Sequence, residues 1–138
     1  QAQRENAVSL KLNPLRAAVE GKRVVLVDDS IVRGTTCGKT VEAIRRAGAK
    51  EVHLRISSPP FTHTCYFGTD IGSEENLIAN QLTLPEIEKR TGADTLGYIS
   101  VEGLLEACRG SSLVLCTGCF TGQYASPVEQ AAKDALEA

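Results

Sequence analysis

The segment "RVVLVD" (23–28) constrains the fold of this chain more than any other. It is a continuous apolar run rich in β-branched residues. Such a run reads as a strand buried on both faces, the habit of parallel sheets. A turn around Gly34 follows, and then "TTCGKTVEAIRRAGAK" carries Val41, Ile44 and Ala47 on one helical face. Thr35 or Thr36 is placed to cap that helix and Gly48 to end it. "EVHLRIS" (51–57) alternates Val52, Leu54 and Ile56 as a second strand. Strand, turn, helix, strand is a βαβ unit, and it predicts an α/β fold with a parallel sheet and flanking helices.

"SSPP" (57–60) stops the second strand, residues 61–72 read as loop, and "SEENLIAN" as a short helix. "TLPEIEKRTG" places Thr83 and Glu86 at capping-box spacing and Gly92 at a helix stop. "TLGYIS" (95–100) is a weaker strand, "VEGLLEACRG" a helix weakened by Gly103, and "SLVLC" a short extended run. Capping-box spacing from Ser126 to Glu129 predicts a helical tail over 126–138. With two strong strands and one or two weak ones, the sheet is expected to be incomplete. The chain begins at Gln1 and has no Met. Residues 1–138 are therefore expected to be the C-terminal part of one larger domain, tied to the rest of the same polypeptide. Apolar sheet surface opened this way invites self-association, so a homo-oligomer is expected.

Charge and composition exclude several classes. A net charge of −2 and a pI near 5.7 give no basic footprint for nucleic acid or an anionic membrane. No apolar run approaches the roughly 20 residues that span a bilayer, and "QAQRENAVSLKL" lacks a signal-peptide core. Five cysteines, an odd number, argue against a disulfide framework and for a reducing, cytoplasmic setting.

The chemistry concentrates at the end of the first strand. Parallel strands deliver their C-terminal ends to the sheet edge where α/β proteins bind ligands, and Asp28 and Asp29 stand there. Gly34, Thr35 and Thr36 add backbone N–H groups, two hydroxyls and a helix N-terminus, a combination suited to phosphate. Two carboxylates facing a phosphate would repel it. They make sense against another part of the same ligand, and a ribose phosphate supplies one. Its phosphate sits on the turn while its hydroxyls donate to the acids. The acids also favour positive charge at the anomeric carbon and can hold Mg²⁺. A receiver domain, which also ends a strand in "VDDS", needs a phospho-accepting Asp on a later strand. Here the next strand runs into "RISSPP".

"VVLVDDSIVRGTT" resembles the phosphoribosyl pyrophosphate signature of the type I phosphoribosyltransferases, and within them the glutamine-dependent amidotransferase branch. "LKLNPLR", "AGAKEVHLRISSPP", "TGADTLGYIS" and "CFTGQY" extend the resemblance over most of the chain. It implies a reaction in which ammonia displaces pyrophosphate from phosphoribosyl pyrophosphate, giving 5-phosphoribosylamine in purine synthesis. Asp28 and Asp29 would act catalytically on ribose and Mg²⁺. Ser30, Arg33, Gly34, Thr35 and Thr36 would join them in binding substrate, and purine nucleotides would occupy the same loop as feedback inhibitors. With the pyrophosphate loop and the glutaminase domain lacking, the isolated piece is expected to be inactive. A non-catalytic ribose-phosphate or nucleotide sensor is the alternative.

Cys116 and Cys119 have the C-x-x-C spacing of a metal or cluster edge, and Cys65 lies in a loop able to join them. The resemblance implies that these three bind a [4Fe–4S] cluster whose fourth ligand lies upstream. His63, near Cys65, keeps a mixed His/Cys zinc site open as an alternative. Cys108 reads as a buried structural thiol. Cys37, at a helix N-terminus, reads as a thiol of lowered pKa beside the phosphate turn. His53 alternates out of its strand and needs no function.

Overall fold

A computed structural model describes residues 13–71, 73–112 and 114–127. A short helix α1 (Arg16–Val19) precedes β1 (Arg23–Asp28), α2 (Thr35–Arg46) and β2 (Glu51–Ile56). After a long loop come a 3-10 turn (Glu74–Asn76), α3 (Ile78–Gln81), α4 (Leu84–Thr91), β3 (Thr95–Tyr98), α5 (Val101–Ala107) and α6 (Gly118–Thr121). The described strands form one parallel sheet in the order β1-β2-β3, with Leu26 opposite Leu54 and Leu54 opposite Leu96. The expected parallel α/β sheet is what forms. "SLVLC" contributes no strand among its described residues, and the predicted helix over 126–138 lies almost wholly outside the described residues.

Two crossovers of one hand, stepping the same way along the sheet, deliver their helices to one face. On that face Val41 and Ile44 of α2 pack on Val52, and Ile87 of α4 packs in one cluster with Leu54 and Leu96. The other face carries Val25 and Val27 beside His53 and Arg55. This corrects the reading of β1 as buried on both faces. Among the described strands it lies at the sheet edge, and Val25 and Val27 are 62% and 67% exposed. The expected open apolar sheet surface is found at these two residues. His53 and Arg55 spread over the neighbouring strand, each bonding the Thr95 hydroxyl, at 2.9 and 3.0 Å.

Local signals account for the helix ends. At α4 the Thr83 N–H and hydroxyl both donate to the Glu86 carboxylate at 2.7 Å, and Gly92 closes the helix at φ 73°. Ser100 caps α5 by accepting from Gly103 N–H at 3.0 Å. Cys108 is only half-buried, at the end of α5, rather than set in a core.

One carboxylate clips three elements together. Asp94 accepts the Val52 N–H at 2.6 Å and an Arg45 N–H at 2.8 Å, while Arg45 also reaches the Gly92 carbonyl. The Val52 N–H first, and the nearby Arg45 charge after it, hold the Asp94 pKa below its ordinary 3.8. A folded-state pKa lowered in this way stabilises the fold fully above the unfolded value. The stabilisation is lost as pH falls through the folded value. Asp94→Asn keeps an acceptor but loses the charge. The urea midpoint of wild type is expected to exceed that of D94N at pH 7, and the gap to close as pH drops below 3.8.

Candidate functional site

The loop between β1 and α2 is held from beneath. Ile31 is 2% exposed and packs with Leu54, Ile56 and Ile78, while Val32 packs on a second cluster of Phe61, Ile71 and Leu77. The Val32 carbonyl accepts the Ile78 N–H at 2.9 Å. With these two side chains turned inward, Asp29, Arg33, Thr35 and Thr36 are exposed around a hollow of about 740 Å³.

Gly34 makes the turn. Its φ is +78°, and a Cβ built there would lie 2.6 Å from Ile78 Cδ1. Gly34 itself, in the left-handed region, is the N-cap of α2. The expectation that Thr35 or Thr36 caps the helix is corrected: both lie in its first turn. The change suits an anion. Glycine adds no side chain over the turn, and the first N–H groups of α2 have no intrahelical acceptors.

The acids share that hollow. Asp28 Oδ1 accepts the Asp29 N–H and Oδ2 accepts the Cys37 thiol, both at 3.0 Å. Asp29 Oδ1 accepts the Ser30 hydroxyl at 3.0 Å. Asp28, Asp29, Ser30, Arg33, Gly34, Thr35 and Thr36 thus all line one cavity. The opposite wall was not anticipated. Asp70, Ser73 and Asn76 come from the long loop, where Asn76 donates to Ser73 Oγ at 2.7 Å. Their local sequence carries no signal of it, because the fold of residues 61–77 is set by distant contacts. Asn80, for example, donates to the carbonyls of Thr62 and Glu74 at 2.9 and 3.0 Å.

Cys37 also departs from expectation. Burial first, and then its bond to the Asp28 carboxylate, push the thiol up to about 12. These outweigh the lowering that a helix N-terminus exerts on a thiol.

Cys65 and Cys119 are brought together. The Cys119 carbonyl accepts the N–H groups of Thr62 and His63, each at 3.1 Å, and Tyr124 donates to the Thr64 carbonyl at 2.6 Å. Gly118 is needed here, since a Cβ would fall 2.2 Å from the Tyr124 ring. Both cysteines pack against the Phe61–Ile71–Leu77 cluster. For Cys65, burial is the largest influence and raises the pKa. N–H groups of Phe67, Thr69 and Gly68 and the Thr69 hydroxyl together outweigh it and bring the thiol below its ordinary value. Cys119 is pushed up to about 11 by burial, then by the charge of Cys65 and more weakly that of Cys116. Among the described residues no three His, Cys, Asp or Glu side chains close on one metal ion. A single zinc needs its donors to meet at a point. Cys116 is exposed, while Cys65 and Cys119 are half-buried. His63 engages the Thr62 hydroxyl through Nδ1 at 2.9 Å.

Residues 1–57 match the model of the phosphoribosyl transferase domain family. The chain is 50% identical over 134 residues to the amidophosphoribosyltransferase of Bacillus subtilis, covering 94% of this chain and 28% of that protein. It is 50% identical over 124 residues to that of Synechococcus elongatus, covering 90% and 25%. It is 52% identical over 128 residues to that of Methanocaldococcus jannaschii, covering 93% and 27%. A solved structure of the B. subtilis glutamine phosphoribosylpyrophosphate amidotransferase, complexed with ADP and GMP, superposes with a TM-score of 0.78 at 50% identity, covering 94% of this chain and 30% of that one. The chain spans about a quarter of the length of these curated relatives. No described helix is long and apolar enough to cross a membrane.

Gly34→Ala is expected to cost about 1–3 kcal/mol through its positive φ and the Ile78 contact. Adding Ile78→Val removes Cδ1 and should return only the steric part. Urea denaturation of the two variants separates the contributions.

Proposed function

We propose that this chain, homologous over most of its length to a segment of the amidophosphoribosyltransferases, carries the ribose-phosphate half of such an enzyme's active site. The observation that carries the reading is one hollow lined by the Asp28–Asp29 pair and by the glycine-capped N-terminus of α2. The 5′-phosphate of phosphoribosyl pyrophosphate rests on the first N–H groups of α2, with the Thr35 and Thr36 hydroxyls and Arg33 at hand. The ribose hydroxyls donate to Asp28 and Asp29. In the intact enzyme, ammonia derived from glutamine attacks the anomeric carbon as the bond to pyrophosphate breaks. The product is 5-phosphoribosylamine, the first committed step of purine synthesis. The two carboxylates favour the positive charge that develops at that carbon.

Mg²⁺, when bound, supplies countercharge for the leaving pyrophosphate, and Asp28 and Asp29 are the carboxylates that would hold it. Purine nucleotides fit the same hollow through their shared ribose 5′-phosphate. The structural neighbour's ADP and GMP agree with that class of ligand. Cys65, Cys116 and Cys119 would supply three thiolates to a [4Fe–4S] cluster, with structural rather than catalytic chemistry. The packing of Cys65 and Cys119 on one apolar cluster and the amides around Cys65 support this for two of the three. A reducing, cytoplasmic location suits such thiols.

Calorimetry of the chain with ribose 5-phosphate and with inorganic phosphate tests the site. Asp28→Asn and Asp29→Asn should each weaken ribose 5-phosphate by about tenfold, near 1.4 kcal/mol. Inorganic phosphate should bind them as well as or better than wild type, because a nearby negative charge is gone. Equal loss of both ligands would contradict the assignment of the acids to ribose. For the cluster, anaerobic reconstitution with iron and sulfide should give visible charge-transfer absorption that Cys65→Ser or Cys119→Ser removes. Cys108→Ser should leave it intact.

A further inference from the structure

We infer that Cys37 is a positioning residue for the site: its thiol locks the Asp28 carboxylate in the orientation that receives the ribose hydroxyls. The inference rests on the ribose-phosphate reading above and deepens it.

Asp28 is the last residue of β1, and its side chain is pinned at both oxygens. The Asp29 N–H holds Oδ1 and the Cys37 thiol holds Oδ2, each at 3.0 Å. Two donors at opposite ends of a carboxylate fix its plane. Each oxygen has two lone pairs, so each keeps one acceptor position for a ligand. Asp29, in contrast, receives a bond from Ser30, its own neighbour in the loop. Of the two acids, Asp28 is the one bonded to α2.

The anchor is itself immobile. Cys37 is 3% exposed and packs with Ile31, Leu54, Ile56 and Ile78. It lies in the first turn of α2, the same turn whose N–H groups face the phosphate. One residue therefore sets the distance between the phosphate-binding turn and the ribose-binding acid. Both recognition elements move together, which holds a ligand spanning them in register. A purely apolar residue at this position would fill the same space and leave Oδ2 without a protein donor.

Packing and positioning predict opposite orders for three variants of the full 138-residue chain. Cys37→Ser keeps a donor but suits the apolar pocket poorly. Cys37→Val keeps the packing and removes the donor, and Cys37→Ala reduces both. Calorimetry should find ribose 5-phosphate bound by C37S within about threefold of wild type, and by C37V and C37A roughly five- to tenfold more weakly. Inorganic phosphate, which does not need Asp28, should bind all four proteins alike. C37V binding ribose 5-phosphate like wild type would overturn the inference, as would parallel loss of both ligands in C37V and C37A. Urea midpoints taken alongside identify any variant whose folding has failed, and C37V, the best-packed donorless variant, then decides. Should wild type bind neither ligand, the site reading itself fails and takes the positioning role with it. Wild type binding ribose 5-phosphate, with C37V equal to it, refutes the positioning role alone.

Discussion

The site depends on a loop clamped from below. Ile31 and Val32 enter two separate apolar clusters, and the Val32 carbonyl is bonded to the start of α3. This leaves Gly34 to reverse the chain in a conformation other residues resist, directly against Ile78. The polar residues between these anchors have nowhere to go but the hollow. Recognition of an anion by main-chain amides needs such rigidity, since a mobile turn would lose entropy on every binding event. The burial of two hydrophobic residues is thus what makes a polar loop into a binding surface.

The same apolar cluster that receives Val32 also receives Cys65, Cys119 and Phe120. The phosphate loop and the cysteine corner therefore stand on one piece of core, in which the Phe61 and Phe120 rings lie 5.0 Å apart, tilted at 40°. A cluster bound at that corner would stabilise the far side of the hollow's support. Under the proposed reading the thiols would have a structural use that requires no electron transfer at the active site.

Much of this was legible in the sequence where the signal is local. The βαβ unit, the Thr83–Glu86 capping box and the grouping of Asp28, Asp29 and Gly34 to Thr36 all follow from short-range chemistry. Other readings failed where long-range context decides. A run such as "VVLV" shows that a strand is apolar, not how many layers cover it, so Val25 and Val27 were placed inside and lie exposed. Cap preference barely separates Thr from Gly, and the positive φ and the contact with Ile78, far along the chain, select glycine at the N-cap. Cys37, read as a passive neighbour of the phosphate turn with a pKa lowered by its helix position, has that pKa raised instead, because its burial against Asp28 is not visible in sequence. Asp70, Ser73 and Asn76 reach the hollow through a loop whose path no periodicity encodes.

The central claim is that backbone amides at the start of α2 receive the phosphate of a ribose phosphate. Backbone amide resonances of the ¹⁵N-labelled chain, followed during titration with ribose 5-phosphate, test it most directly. The account predicts saturable shifts at Thr35, Thr36 and Cys37, joined by Asp28 and Asp29 but not by the amides of α5. Saturable binding that leaves the amides of residues 34–37 unmoved would contradict it.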